Sequence, residues 1–206
     1  MCRKKKSQRQ IAMGWLRQEP VPARFPEGYT VKNFDGSYEE KAQYYRIWHG
    51  KDGTEKEVLD TFRNCFENYH GCVPQKDVFF VLYGDEYVGT ITAIHFKRKN
   101  MGYVHFVALR EDFRGKGLSR ALNYIAMKRI YDDGSECAYL TTNEWRKNAI
   151  RSYIAAGFLP LQNGKGRAEK KEMIERWRKV YEDLELGELQ MLDAKFRPMK
   201  KEDLNG

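Results

Sequence analysis

The sequence predicts a mixed α/β domain, a central sheet flanked by helices with one further helix trailing at the C-terminus. Three observations carry that expectation. Apolar residues recur with strand and helix periods in the order β-α-α-β-β-β-α-β-α-β. Turn residues at Gly84-Asp85-Glu86 and around Asn100 join three successive strands as hairpins. Finally, 206 residues with 41% apolar content, among them 11 Phe, 13 Tyr and 4 Trp, suffice for one sizeable core.

Residues 1–20 are polar and basic, with Ile11, Trp15 and Leu16 as their apolar anchors, and are expected to form a lead-in that is mobile or partly docked. Pro20, Pro22 and Pro26-Glu27-Gly28 punctuate the chain before the first strand, Tyr29 to Phe34, where apolar and polar residues alternate. Ser37 is a good N-cap for a helix to about His49, with Glu39 and Glu40 in its first turn. Thr54 caps a second helix patterned by Val58, Leu59, Phe62, Phe66 and Tyr69, which Gly71 ends. Val78 to Tyr83 reads as a short apolar strand, followed by strands Tyr87 to Phe96 and Tyr103 to Leu109.

After a loop, Arg110 to Gly117, a helix places Leu118, Leu122, Ile125, Ala126 and Ile130 on one face. Ala138 to Thr142 is a strand, 146–156 a helix closed by Gly157, and Phe158 to Leu161 another short strand. The loop 162–167 leads to an amphipathic helix at about 168–185 with Met173, Ile174, Trp177, Val180, Tyr181 and Leu184 inward. The expected organisation is therefore a basic segment 1–20, a domain over 21–161, and a C-terminal loop and helix, 162–206, packed on that domain.

Composition narrows the function. No apolar run approaches the ~20 residues of a membrane span, so no membrane partner is expected. No apolar stretch follows the basic start Met1 to Lys6, which argues against a secretory signal and for a cytoplasmic protein. Cys2, Cys65, Cys72 and Cys137 lack metal-ligand spacing and are read as buried thiols, so no metal is expected. The formal charge of +8 fits either a nucleic-acid binder or an enzyme with a polyanionic cofactor. The basic residues are scattered rather than gathered into one stripe, which disfavours nucleic acid.

The most informative segment is Val107-Ala108-Leu109-Arg110-Glu111-Asp112-Phe113-Arg114-Gly115-Lys116-Gly117-Leu118-Ser119-Arg120. A strand runs through a short loop to a helix start marked by two glycines. That end of a helix presents unpaired N–H groups and the positive end of the peptide dipole, and glycine lets backbone lie directly against an anion. With Arg114, Lys116 and Arg120 alongside, the segment reads as a pyrophosphate site. A sharp turn with a glycine N-terminus would look similar. A Walker loop is excluded by its missing Lys-Ser/Thr ending, and the dinucleotide fingerprint by its missing third glycine.

Arg114-x-x-Gly117-x-Ser119 after an apolar strand resembles motif A of the GNAT superfamily of acyl-CoA-dependent N-acetyltransferases, with Ser119 where that family usually has Gly or Ala. The stretch Thr142-x-x-x-Arg146-x-x-Ala149-Ile150-x-x-Tyr153-x-x-x-Gly157-Phe158-x-Pro160 is similar to its motif B. The resemblance covers about residues 29–161. It implies a mixed, mostly antiparallel central sheet, acetyl-CoA as cosubstrate, and transfer of the acetyl group to a primary amine, on a small molecule or a peptide, by direct attack in a ternary complex. A non-catalytic acyl-CoA-binding sensor on the same fold is the alternative, and a homodimer is left open.

On that resemblance Val107, Ala108 and Leu109 and the run Arg114, Gly115, Lys116, Gly117, Leu118 and Ser119 hold the cofactor, joined by Arg146 and Asn148. Arg146 would face a phosphate of the cofactor or cap its loop. Tyr153 takes the family's role of general acid toward the departing thiolate. The carboxylate that some relatives place eleven residues before Arg114 is replaced by Tyr103. His105, two residues on and so on the same strand face, has an ordinary pKa suited to accepting a proton from the amine. His95 is expected directly opposite His105 across the hairpin. Glu144 and water are the other candidates for the base.

Overall fold

A computed structural model describes residues 9–205 of the chain. Its sheet has seven strands: β1 (Ile11–Leu16), β2 (Tyr29–Asn33), β3 (Val78–Tyr83), β4 (Glu86–Phe96), β5 (Met101–Leu109), β6 (Cys137–Thr142) and β7 (Leu159–Leu161). They lie in the order β2-β3-β4-β5-β6-β1-β7, every neighbouring pair antiparallel except β5 and β6. The expected mixed, mostly antiparallel sheet flanked by helices is thus the observed architecture.

The helices are α1 (Tyr38–His49), α2 (Glu55–Phe62), α3 (Pro74–Asp77), α4 (Leu118–Asp132), α5 (Lys147–Ala155), α6 (Gly166–Asp183) and α7 (Lys201–Asn205). Ser37 caps α1 by accepting from Glu40 N, and Thr54 caps α2 in a reciprocal box with Glu57. The second helix is shorter than its apolar spacing predicts, because it widens into a π turn at Arg63–Glu67. The helix expected at about 168–185 is α6, Gly166–Asp183.

Two clusters fill the space on either side of the sheet. One joins Ile11, Met13 and Trp15 to Leu118, Leu122 and Ile130 of α4 and to Met173 and Trp177 of α6. The other joins Phe34, Tyr44, Ile47, Phe62, Phe66 and Phe80 beneath α1 and α2. Burial of this much apolar and aromatic surface is the main force holding the helices onto the sheet.

The largest departure from expectation is β1. The lead-in, rather than being mobile or only partly docked, contributes a strand between β6 and β7, paired with both, and residues 1–8 lie outside the described residues. Ile11, Met13 and Trp15 face the main cluster, while Ala12 packs with Leu161 and Leu192 on the opposite side. A strand buried on both faces has no polar alternation to reveal it. At Gly14 a Cβ would come within 3.0 Å of Leu192 and Phe196, so glycine is what lets the C-terminal segment close over β1.

One further expectation changes. Cys65, Cys72 and Cys137 are half-buried free thiols rather than buried ones, Cys2 lies outside the described residues, and no cluster of metal-ligating side chains occurs among those described. No helix among them is long and apolar enough to cross a membrane.

Candidate active site

The site is built on the one parallel pair of the sheet. β5 and β6 pair only through Met101–Cys137, Gly102–Ala138 and Tyr103–Tyr139, after which the strands part. From Val104 onward the β6-facing edge of β5 has no partner strand, so its backbone groups there are open to another hydrogen-bonding partner. Val107, Ala108 and Leu109 lie on this separated stretch, where Leu109 O accepts from Arg114 Nε at 3.2 Å.

β5 also carries a bulge. Thr92 pairs with His105 and Thr90 with Ala108, so Ile91 alone opposes both Phe106 and Val107. Phe106 takes φ 45°, a left-handed conformation that costs a bulky residue roughly 1–2 kcal/mol. The extra residue turns His105 and Phe106 toward the same face, their ring centroids 3.6 Å apart, and sends Val107 toward the α4 side.

Beyond β5 a single turn of 3-10 helix, Glu111–Phe113, leads to the glycines. Gly115 and Gly117 have φ 75° and 78°, and a Cβ at either would meet nothing within 4 Å. Gly117 is the N-cap of α4, with no capping side chain and no acidic residue in the first turn. Among the described residues no backbone acceptor meets the N–H groups of Gly115, Lys116, Gly117, Leu118 or Ser119. These five consecutive amides form an open cup at the positive end of α4, the arrangement that binds an anion. Arg114 and Lys116 are exposed beside it, Lys116 with its ammonium 4.4 Å above the Phe113 ring.

Gly117 and Ser119 line a cleft of about 230 Å³ together with Arg120, Asn148, Arg151 and Ser152. The two motifs, some thirty residues apart in sequence, therefore meet in one place. Asn123 of α4 donates to Ser152 Oγ of α5 at 2.9 Å and holds the two helices in register. Arg151 and Ser152 were not among the expected site residues. Their signal was helical spacing: 151 and 152 follow Asn148 by three and four positions, hence on one face of α5.

Arg146 precedes α5 and makes no side-chain cap. Its guanidinium lies 4.8 Å over the ring of Trp145, an indole that is 73% exposed. Tyr153 is buried against Phe158, and burial pushes its hydroxyl up to about 12 despite the nearby charge of Arg146.

His105 sits in a cage of rings, with Tyr103 at 4.5 Å and Tyr69 at 5.0 Å between centroids. Burial lowers its pKa to about 4, so the imidazole is neutral at pH 7. His95 is not opposite it. The hairpin register pairs His95 with Gly102, and His95 Nδ1 instead shares a 2.6 Å hydrogen bond with Ser135 Oγ. Glu144 is engaged by Arg176, which holds its carboxyl below the usual range against the opposing effect of burial.

The model of the acetyltransferase (GNAT) family matches residues 36–158. Among solved structures, the GCN5-related N-acetyltransferase from Sphaerobacter thermophilus is similar over 74% of this chain and 49% of its own, with 23% identity and a TM-score of 0.55. That from Kribbella flavida is similar over 75% of this chain and 55% of its own, with 18% identity and a TM-score of 0.53. The chain thus spans about half the length of these two structures, and at such identities the likeness is one of fold. No curated protein matches the sequence.

Proposed function

The chain belongs to the acetyltransferase (GNAT) family, and from that premise we propose that it transfers an acetyl group from acetyl-CoA to a primary amine by direct attack in a ternary complex. The observation that carries this reading is the open amide cup at 115–119 standing at the end of a strand whose inner edge is unpaired. The cup and Arg114 would hold the diphosphate, while Asn148 and Arg151 bound the adjoining cleft. The free edge of β5 at Val107 to Leu109 would hydrogen-bond the pantetheine amides and supply an N–H to the carbonyl oxygen as it gains charge. Acetyl-CoA supplies the thioester, a carbonyl carbon already activated toward a neutral nitrogen.

The amine nitrogen forms a C–N bond to that carbon, the C–S bond breaks, and the electron pair leaves on sulfur. One proton must leave the nitrogen and one must reach the thiolate. Tyr153 is the proposed donor, because burial keeps its hydroxyl protonated throughout the neutral range. His105 is the proposed acceptor, directly or through water, although a ring lowered to about 4 is a weak base and serves best for an amine already neutral on arrival.

The second reading is a non-catalytic acyl-CoA sensor. It is favoured by one set of facts: Tyr103 stands where a carboxylate would serve, Glu144 is tied to Arg176, and His105 is weakly basic. Thermal shift with acetyl-CoA, CoA and longer acyl-CoAs, followed by thiol release against an amine panel, separates the two. Stabilisation with turnover supports the transferase. Stabilisation without turnover on any amine supports the sensor, and absence of stabilisation removes both.

A further inference from the structure

A cavity of about 960 Å³ opens at the hairpin end of the sheet and shares no residue with the cleft beside the amide cup. Its size is that of a small-molecule site, typically ~300–1,000 Å³. One wall is aromatic, formed by Tyr69, Phe96 and Tyr139. Tyr69 and Tyr139 both stack on Tyr103, at 5.9 and 4.3 Å, and Tyr103 and Tyr139 are the last paired residues before β5 and β6 separate. The cavity therefore reaches within one ring of the fork, on the side away from the cup.

The remaining wall is cationic. Lys76, Lys97, Arg98, Lys99 and Arg129 line it against two carboxylates, Asp77 and Asp133. Both carboxylates are engaged by Arg129, Asp133 at 2.7 Å and Asp77 at 3.3 Å. Lys76 acts on Asp77 electrostatically, which leaves Lys97, Arg98 and Lys99 with no carboxylate partner among the described residues. Elsewhere on the chain Lys and Arg side chains commonly pair with acids, as Lys41 does with Glu67 and Lys128 with Asp132. Three unpaired cations around one concavity raise its potential and concentrate anions there.

We infer that this cavity admits the acceptor, and that the acceptor carries a carboxylate or phosphate besides its amine. The inference rests on the transferase reading above and adds the substrate class to it. The anionic group lies against Lys97, Arg98 and Lys99 at the mouth, and the amine end points past Tyr69 and Tyr139 toward the fork. The same charges discriminate against polyamines, whose second ammonium meets like charge at the mouth.

The test uses the full chain and three amines of one two-carbon skeleton: ethanolamine, β-alanine and O-phosphoethanolamine. Binding is measured by calorimetric titration in the presence of CoA, and turnover by thiol release. The variant carries Lys97→Gln, Arg98→Gln and Lys99→Gln, all on an exposed 3-10 turn outside both apolar clusters.

At least one anionic amine should bind tenfold or more tightly than ethanolamine at low salt, and the preference should shrink at high salt. Which of the two does so separates a carboxylate from a phosphate acceptor. The variant should lose that preference through Kd and KM, with kcat and the affinity for CoA unchanged. Equal affinity for all three amines, binding of none, or an unaltered preference in the variant overturns the inference while leaving the transferase reading intact. Failure of CoA to bind the unmodified chain overturns the transferase reading and the acceptor role with it.

Discussion

Tyr103 and Tyr139 stack nearly face to face, 4.3 Å between centroids and 11° between planes, at the last rung of the sheet's parallel pair. Beyond that rung the strands diverge, so this stacked pair marks the vertex of the fork. Replacing Tyr139 by Ala should cost about 2 kcal/mol from lost stacking and burial, whereas Tyr139→Phe should stay within about 0.5 kcal/mol. Urea midpoints of the two variants decide it, and equal midpoints would show that the stack does not hold the vertex.

Gly117 starts α4 in a left-handed conformation, φ 78°, at the centre of the amide cup. Gly117→Ala should cost about 1 kcal/mol of stability, because L-residues are strained there. If the cup grips a diphosphate, the affinity for CoA should fall about tenfold, equivalent to ~1.4 kcal/mol. Titration of CoA against both proteins reads this directly. An unchanged affinity would mean that the anion lies elsewhere.

Burial keeps the Tyr153 hydroxyl protonated to about pH 12. As general acid, it should sustain turnover on the alkaline side well beyond pH 9. Tyr153→Phe should lower kcat by a factor of about a hundred, within the usual range for acid catalysis, and change CoA affinity by less than about twofold. Equal turnover in the variant would remove Tyr153 from the chemistry.

His105 is neutral and caged when folded, with a pKa of about 4 against an ordinary 6.5. The unfolded chain therefore binds a proton between those values that the folded chain does not. Stability from this group is present above about pH 6.5 and is lost as pH falls toward 4, a difference on the order of 3 kcal/mol. His105→Leu should flatten that part of the pH–stability curve relative to the parent protein, as followed by urea unfolding at pH 7 and pH 4.5. If His105 is also the base, its limb in kcat/KM should fall near pH 4 and vanish in the variant.

Trp15 is fully buried in β1 and joins that strand to the main cluster. Trp15→Ala should destabilise the chain by about 3–5 kcal/mol. A thermal midpoint within a few degrees of the parent would contradict the central placement of the strand.

Most of the fold was legible in local pattern, and the reasons are specific. Ser37 and Thr54 announced their helices because side-chain capping is a local event. Gly84-Asp85 announced its hairpin because a two-residue turn has its own residue requirements. Tyr103 and His105 were expected on one face, and they stack, since alternation along a strand needs only the chain itself. His95 was misplaced because pairing register depends on the shape of the turn: Lys97–Lys99 forms a 3-10 turn with Asn100 left-handed.

The sequence by itself determined the element types, the glycine-marked start of α4 and the two motifs, because these rest on contacts within a few residues or on the spacing along one helix or strand. Tertiary structure alone decided that Ile11–Leu16 is an interior strand, that Phe106 bulges, that motifs A and B meet in one cleft, and that three cations go unpaired around the hairpin cavity. Each of these depends on which distant segment lies alongside. A residue carries its own propensity, but its neighbours across the sheet determine its burial, register and charge environment.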